Sequence, residues 1–134
     1  MLLLDTHAAL WLDSGAPMKS RSLASIREAS ASGGVHISPV SAWEIGLLFR
    51  KKRIELRSSP TSWFEDFLAL PGVTLAPLDP RAAIDAAMLP DSFHADPADR
   101  FLVATARHFD LTFVTRDRRI LDFAGTGALR AIEC

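Results

Sequence analysis

The chain holds one cysteine, Cys134, and it is the last residue. That excludes an internal disulfide framework and any cysteine-rich zinc site. No apolar run approaches the roughly 20 residues that a membrane-spanning helix needs. The N-terminus has neither a basic leading segment nor a small-residue cleavage site, so a mature, cytoplasmic protein is expected. Charge of one sign is not in excess: 15 basic residues stand against 16 acidic ones, a net charge of −1. Overall electrostatics therefore do not announce a nucleic-acid binder. Repeats, low-complexity segments and long linkers are missing. So are HExxH and paired-histidine spacings, and there is no lysine beyond Lys52. What remains is 134 residues, 49% of them apolar, enough for one globular, soluble domain, 1–134, with a real core.

Met1-Leu2-Leu3-Leu4 runs straight into Asp5, and Thr6 to Leu12 reads as helix. A short, wholly apolar run followed by helical sequence suits a strand covered on both faces. A helix is expected over 20–32, closed by Gly33-Gly34 as C-cap glycines. Val35 to Ser38 is a short strand, and Ser38-Pro39 opens a helix with Ser as cap and Pro at the first position. That helix frays into Arg50-Lys51-Lys52-Arg53. Trp63, Phe64, Phe67 and Leu68 fall at helical spacing. Val73 to Ala76 is a third strand, and Asp79-Pro80 starts a helix to about Leu89. Asp96-Pro97 starts another, to about His108. Leu111 to Thr115 is rich in β-branched and aromatic residues and reads as strand. Asp117 to Phe123 suggests one or two helical turns, and Ala128 to Ile132 a final edge strand. The alternation argues for a mostly parallel sheet in a three-layer α/β/α domain.

In such sheets ligands bind at the carboxyl ends of strands, and acidic residues gather there. Asp5 follows the first strand and Asp117 the fourth. Each is also a good N-cap, and both readings stand side by side. Glu44 fits a capping box with Ser41, but Pro39 places the cap at Ser38 and leaves Glu44 inside an apolar helix, where an ionised side chain needs a partner. Asp96 caps its helix; Asp99, three residues on, either complements the helix dipole or projects into a site. Ionised carboxylates brought together repel unless a cation lies between them. A site of Asp and Glu alone selects a hard ion, Mg²⁺ or Mn²⁺. His7 and His94 are taken as ordinary polar residues.

Four stretches now stand in order: Leu4-Asp5-Thr6-His7-Ala8, Ser38-Pro39-Val40-Ser41-Ala42-Trp43-Glu44-Ile45, Asp96-Pro97-Ala98-Asp99-Arg100 and Val114-Thr115-Arg116-Asp117. Together they resemble the motifs of PIN-domain ribonucleases, and more narrowly of VapC-type toxins from bacterial toxin–antitoxin systems. The resemblance runs almost end to end. It implies a PIN-like fold and a Mg²⁺-dependent endoribonuclease with Asp5, Glu44, Asp99 and Asp117 as metal-binding catalytic acids. Asp96 would be an accessory acid, and Thr115 a hydroxyl that supports the site, with Thr6 beside Asp5. It further implies a homodimer, a VapB-type antitoxin as partner, tRNA or rRNA as substrate, and products with a 5′-phosphate and a 3′-hydroxyl.

An RNA backbone needs cations. Arg50 to Arg53 with Arg57 form one basic cluster, also explicable as a solvated helix end. Arg116, Arg118 and Arg119 flank Asp117, and Arg100 stands beside Asp99, where it either meets RNA or pairs with a neighbouring acid. The aromatic load of Trp43, Phe49, Trp63, Phe64 and Phe67 exceeds what one small core absorbs, so part of it is a candidate surface for a second subunit or an antitoxin segment. A haloacid-dehalogenase-type phosphotransferase would want a second Asp where His7 stands and a later Lys. A receiver domain fails on the same missing Lys. A non-catalytic PIN-like binding module differs from the enzyme in needing no Mg²⁺ affinity.

Overall fold

The computed structural model describes residues 1–134. Five strands and seven helices alternate: β1 (Leu2–Leu4), α1 (Thr6–Ser14), α2 (Ser20–Ser30), β2 (Val35–Ile37), α3 (Pro39–Arg50), α4 (Pro60–Leu68), β3 (Val73–Leu75), α5 (Pro80–Met88), α6 (Pro97–His108), β4 (Thr112–Thr115), α7 (Arg118–Gly125) and β5 (Ala131–Glu133). Short polar caps start most of the helices. Ser38, Ser59, Asp79, Asp96 and Asp117 each accept a backbone N–H through the side chain, and proline follows the cap directly in α3, α4, α5 and α6. Proline suits that position because its missing N–H would have no partner in the first turn anyway.

The strands form one sheet in the order β3-β2-β1-β4-β5, every neighbouring pair parallel. β1 is central. The chain builds outward to β2 and β3 on one side, then returns across to β4 and β5 on the other. The order reverses beside β1, and in sheets of this kind ligands bind at that switch, outside the strands' carboxyl ends. Successive side chains of a strand point to opposite faces. Leu3 and Phe113 join Leu102, Val103 and Ile120 in the core on one face. Leu2, Leu4, Val35, Ile37 and Val114 join Ile26, Ile45 and Phe67 on the other. Burial on both faces explains why β1 is apolar at every position. The architecture is the expected three-layer α/β/α arrangement.

The aromatic load divides between core and surface. Trp63 is buried, stacked on Phe67 with ring centroids 5.1 Å apart, and its Nε1 donates to Asp13 Oδ2 at 2.9 Å. Trp63 and Phe67 are core, not docking surface. On α3, by contrast, Trp43 and Phe49 stay 60% and 41% exposed.

Candidate active site

Asp5 is both cap and site residue. Its Oδ1 accepts the Thr6 N–H at 2.7 Å, capping α1, while Oδ2 accepts the Thr115 hydroxyl at 2.6 Å. Thr115, the last residue of β4, also accepts the Asp117 N–H on Oγ1 at 3.0 Å. One buried hydroxyl thus ties together the ends of the two central strands. Asp117 uses Oδ1 to cap α7, accepting from Ile120 N at 3.1 Å, which leaves Oδ2 facing the site. Glu44 lies inside α3, a turn past the real cap at Ser38. Its Oε1 accepts the Thr6 hydroxyl at 2.5 Å, and Thr6 Oγ1 also bonds with Ser41 Oγ at 2.9 Å. Asp99 is not a cap. It stands in the first turn of α6, whose cap is Asp96. The helix enters at the carboxyl edge of the sheet, because α6 must run back before β4 begins.

The electrostatics follow from this crowding. Burial pushes the Asp5 carboxyl above its ordinary range; the Thr115 and Thr6 donors pull it back, and Asp117 pushes it further up. Burial raises Glu44 to about 7, with smaller contributions from Asp5 and Asp96 opposing the relief from Thr6. Burial raises Asp99 to about 8, and Asp5, Asp96, Glu44 and Asp117 all add to it. No lysine or arginine pairs with Asp5, Glu44, Asp99 or Asp117. Partly buried carboxylates without a lysine or arginine partner are what a hard divalent cation satisfies, and the donor set, carboxylate oxygens, matches such an ion.

A PIN-domain family profile matches residues 2–126. The chain belongs to the PIN-domain family. Ribonuclease VapC22 of Mycobacterium tuberculosis is 33% identical over 119 residues, covering 89% of this chain and 88% of that protein. Two solved structures share the fold. A chain of VapBC2 from Rickettsia felis, bound to a DNA fragment from its promoter, superposes with a TM-score of 0.71 at 12% identity, covering 98% of this chain and 97% of that one. A chain of DNA-bound VapBC from Salmonella typhimurium gives 0.70 at 17% identity, covering 99% and 98%.

The arginines of this PIN domain divide sharply. The guanidinium of Arg100 donates to five backbone carbonyls, those of Ala86, Ala87, Leu89, Pro90 and His94. It clamps the end of α5 to the segment before α6, so the expectation that it meets RNA or pairs with an acid gives way. Arg116 is also committed: it donates to the carbonyls of Pro17 and Cys134 and stacks over Trp11 at 3.9 Å. Arg118 pairs with Glu133 at 3.2 Å. Arg119 is exposed and makes no such bond; it lines a cavity of about 650 Å³ together with His94, Phe93 and Phe123. Asp96 is exposed and acts as the cap of α6. His7 is exposed against Trp11. His94 is the residue sequence reasoning missed. Its Nε2 lies 3.0 Å from Asp99 Oδ2 and 3.5 Å from Asp117 Oδ2. The only signal in the sequence was its place two residues before Asp96.

Proposed function

We propose that this PIN domain is a Mg²⁺-dependent endoribonuclease, with Mn²⁺ as an alternative ion, that hydrolyses RNA phosphodiesters and acts as the toxin of a VapBC-type pair. The observation that carries the chemistry is the convergence of Asp5, Glu44, Asp99 and Asp117 at the switch between β1 and β4 with no lysine or arginine paired to any of them. The likeness to ribonuclease VapC22 supports RNA as substrate and a toxin role; tRNA and rRNA are the substrates to try first. A VapB-type antitoxin and a homodimer belong to the same reading, and exposed Trp43 and Phe49 on α3 offer apolar surface for one of them.

Asp5 is the central ligand, held by two donors on its own oxygens, with Asp99 and Asp117 beside it. A bound Mg²⁺ would polarise the scissile phosphate and lower the pKa of a water at the site. Thr6 fixes Glu44 through Oε1, which leaves Oε2 to orient that water. A carboxyl raised to about 7 is well matched to accept its proton near neutral pH. Arg119 is the one cation of its group without a protein partner, which supports a role for it on the RNA backbone in this reading.

Purified protein is incubated with total cellular RNA under three conditions: unmutated in Mg²⁺, unmutated in EDTA, and Asp5→Asn in Mg²⁺. Discrete fragments in the first lane alone are expected. Three identical lanes would sink the assignment, and a Mn²⁺ titration without heat or spectral change would then favour a non-catalytic binding module.

A further inference from the structure

His94 sits on the segment joining α5 to α6, with its side chain only 11% exposed. That segment is held in place independently of the acids. Arg100 donates to the carbonyl of His94 at 3.0 Å and to that of Pro90 at 3.2 Å. The neighbouring Phe93 is buried and packs against Phe123 with centroids 4.6 Å apart. The ring is therefore carried on a braced loop.

Its tautomer follows from a backbone bond. The Asp96 N–H donates to His94 Nδ1 at 3.1 Å. A nitrogen that accepts a hydrogen bond carries no hydrogen, so the ring hydrogen is on Nε2. That Nε2–H faces Asp99 Oδ2 at 3.0 Å and Asp117 Oδ2 at 3.5 Å. The two acids come from different elements, the first turn of α6 and the cap of α7. An Nε2 that donates to carboxylates has no lone pair to offer an ion.

We propose that His94 is a positioning residue of this PIN domain: its Nε2–H orients the carboxylates of Asp99 and Asp117 for cation binding, without being a ligand itself. The inference rests on the metal-dependent reading above and adds the residue that aims two of its acids. Outer partners of metal-binding side chains commonly set affinity within about 10–100-fold. It also keeps the inner donors all oxygen, the donor type that suits Mg²⁺ and Mn²⁺.

Mn²⁺ and, separately, Ni²⁺ are titrated calorimetrically into the full chain, unmutated and as His94→Ala, His94→Gln and Asp5→Asn, with melting in EDTA to verify folding. Glutamine places an amide N–H about where Nε2–H lies. His94→Ala is expected to lose roughly 10–100-fold in Mn²⁺ affinity, and His94→Gln to recover most of it. If His94→Ala does not fold, His94→Asn, whose amide is too short to reach the acids, takes its place. A two-bond ¹H–¹⁵N correlation spectrum with and without Mg²⁺ is expected to show the Nε2–H tautomer in both. Mn²⁺ affinity unchanged in His94→Ala, but lost in Asp5→Asn, would overturn the inference and leave the metal site standing. Loss of affinity in both His94 variants, larger for Ni²⁺ than for Mn²⁺, or an Nδ1–H tautomer in Mg²⁺, would make His94 a ligand and overturn it too. No Mn²⁺ binding by the unmutated chain would overturn both.

Discussion

Thr115 and Asp99 show opposite relations between site and stability. The Thr115 hydroxyl donates to Asp5 and accepts from the Asp117 N–H, and the residue is fully buried. Thr115→Val keeps the shape and removes both bonds, leaving a buried N–H and a carboxylate oxygen short of partners. A loss of about 1–3 kcal/mol is expected. Thr115→Ser keeps the hydroxyl and should be less destabilised. Urea unfolding in EDTA separates the two; equal midpoints would mean the hydroxyl bonds carry no net stability. Asp99 has no lysine or arginine partner, and its carboxyl is raised to about 8 by burial and four surrounding acids. Asp99→Asn removes that repulsion without changing size. At pH 8 in EDTA the variant should melt higher than the unmutated chain, by about 3–5 °C per kcal/mol gained, while losing Mn²⁺ binding. An active site built from repelling acids is a place where function is held at the expense of stability.

At the scale of elements, the connection between α5 and α6 is organised by one side chain. Arg100 reaches five carbonyls that the end of α5 and the following turn leave without helical partners. Lysine offers a compact ammonium in place of a planar fork and cannot span that set. Arg100→Lys is expected to cost about 2–4 kcal/mol, from several lost charge-assisted bonds. Amide hydrogen exchange should speed up over residues 86–96 more than in β1 or β4; uniform acceleration would mean the clamp acts globally, not on this connection. The same segment marks the limit of what the sequence discloses. Helix starts are local and were legible: Asp96-Pro97 alone places α6 at Pro97–His108. Central strands were legible because burial on both faces leaves an unbroken apolar run at β1. The candidate acids could be singled out because they stand within a residue or two of a strand end, or in the first turns of a helix, and the family resemblance gathered them into one set. The arrangement of the α5–α6 connection is not periodic, and its partners are carbonyls, which every residue type carries equally. So Arg100 read as an RNA contact because it stands next to Asp99. His94 read as an ordinary polar residue, because only the folded loop brings its ring to Asp99 and Asp117. Trp63 stood open between core and surface for a related reason: helical spacing identifies an apolar face without saying what covers it.

Across the whole molecule the acid cluster links folding, protons and cations. In the unfolded chain Glu44 and Asp99 titrate near ordinary carboxylate values, roughly 4. In the folded chain they titrate at about 7 and about 8, and Asp5 is shifted the same way. The native state therefore holds more protons than the unfolded state between those limits. Stability in EDTA should be greatest at the acid end of this window, fall as pH rises from about 5 to about 8, and then level off. Glu133 does not mask the trend: its hydrogen bond with Lys19 holds it below the ordinary value, so its linkage lies under this window. A divalent cation held by these acids would have the opposite dependence. It would compete with the same protons, so its affinity would rise through the window, and it would stabilise the fold in proportion to the logarithm of its saturation. The gap in melting temperature between saturating Mg²⁺ and EDTA should widen from pH 6 to pH 8.5 in the unmutated chain and be nearly absent in Asp99→Asn. A gap that stays constant with pH would mean that the ion binds elsewhere on the surface, since only a site whose acids are protonated at pH 6 makes proton release the condition for binding.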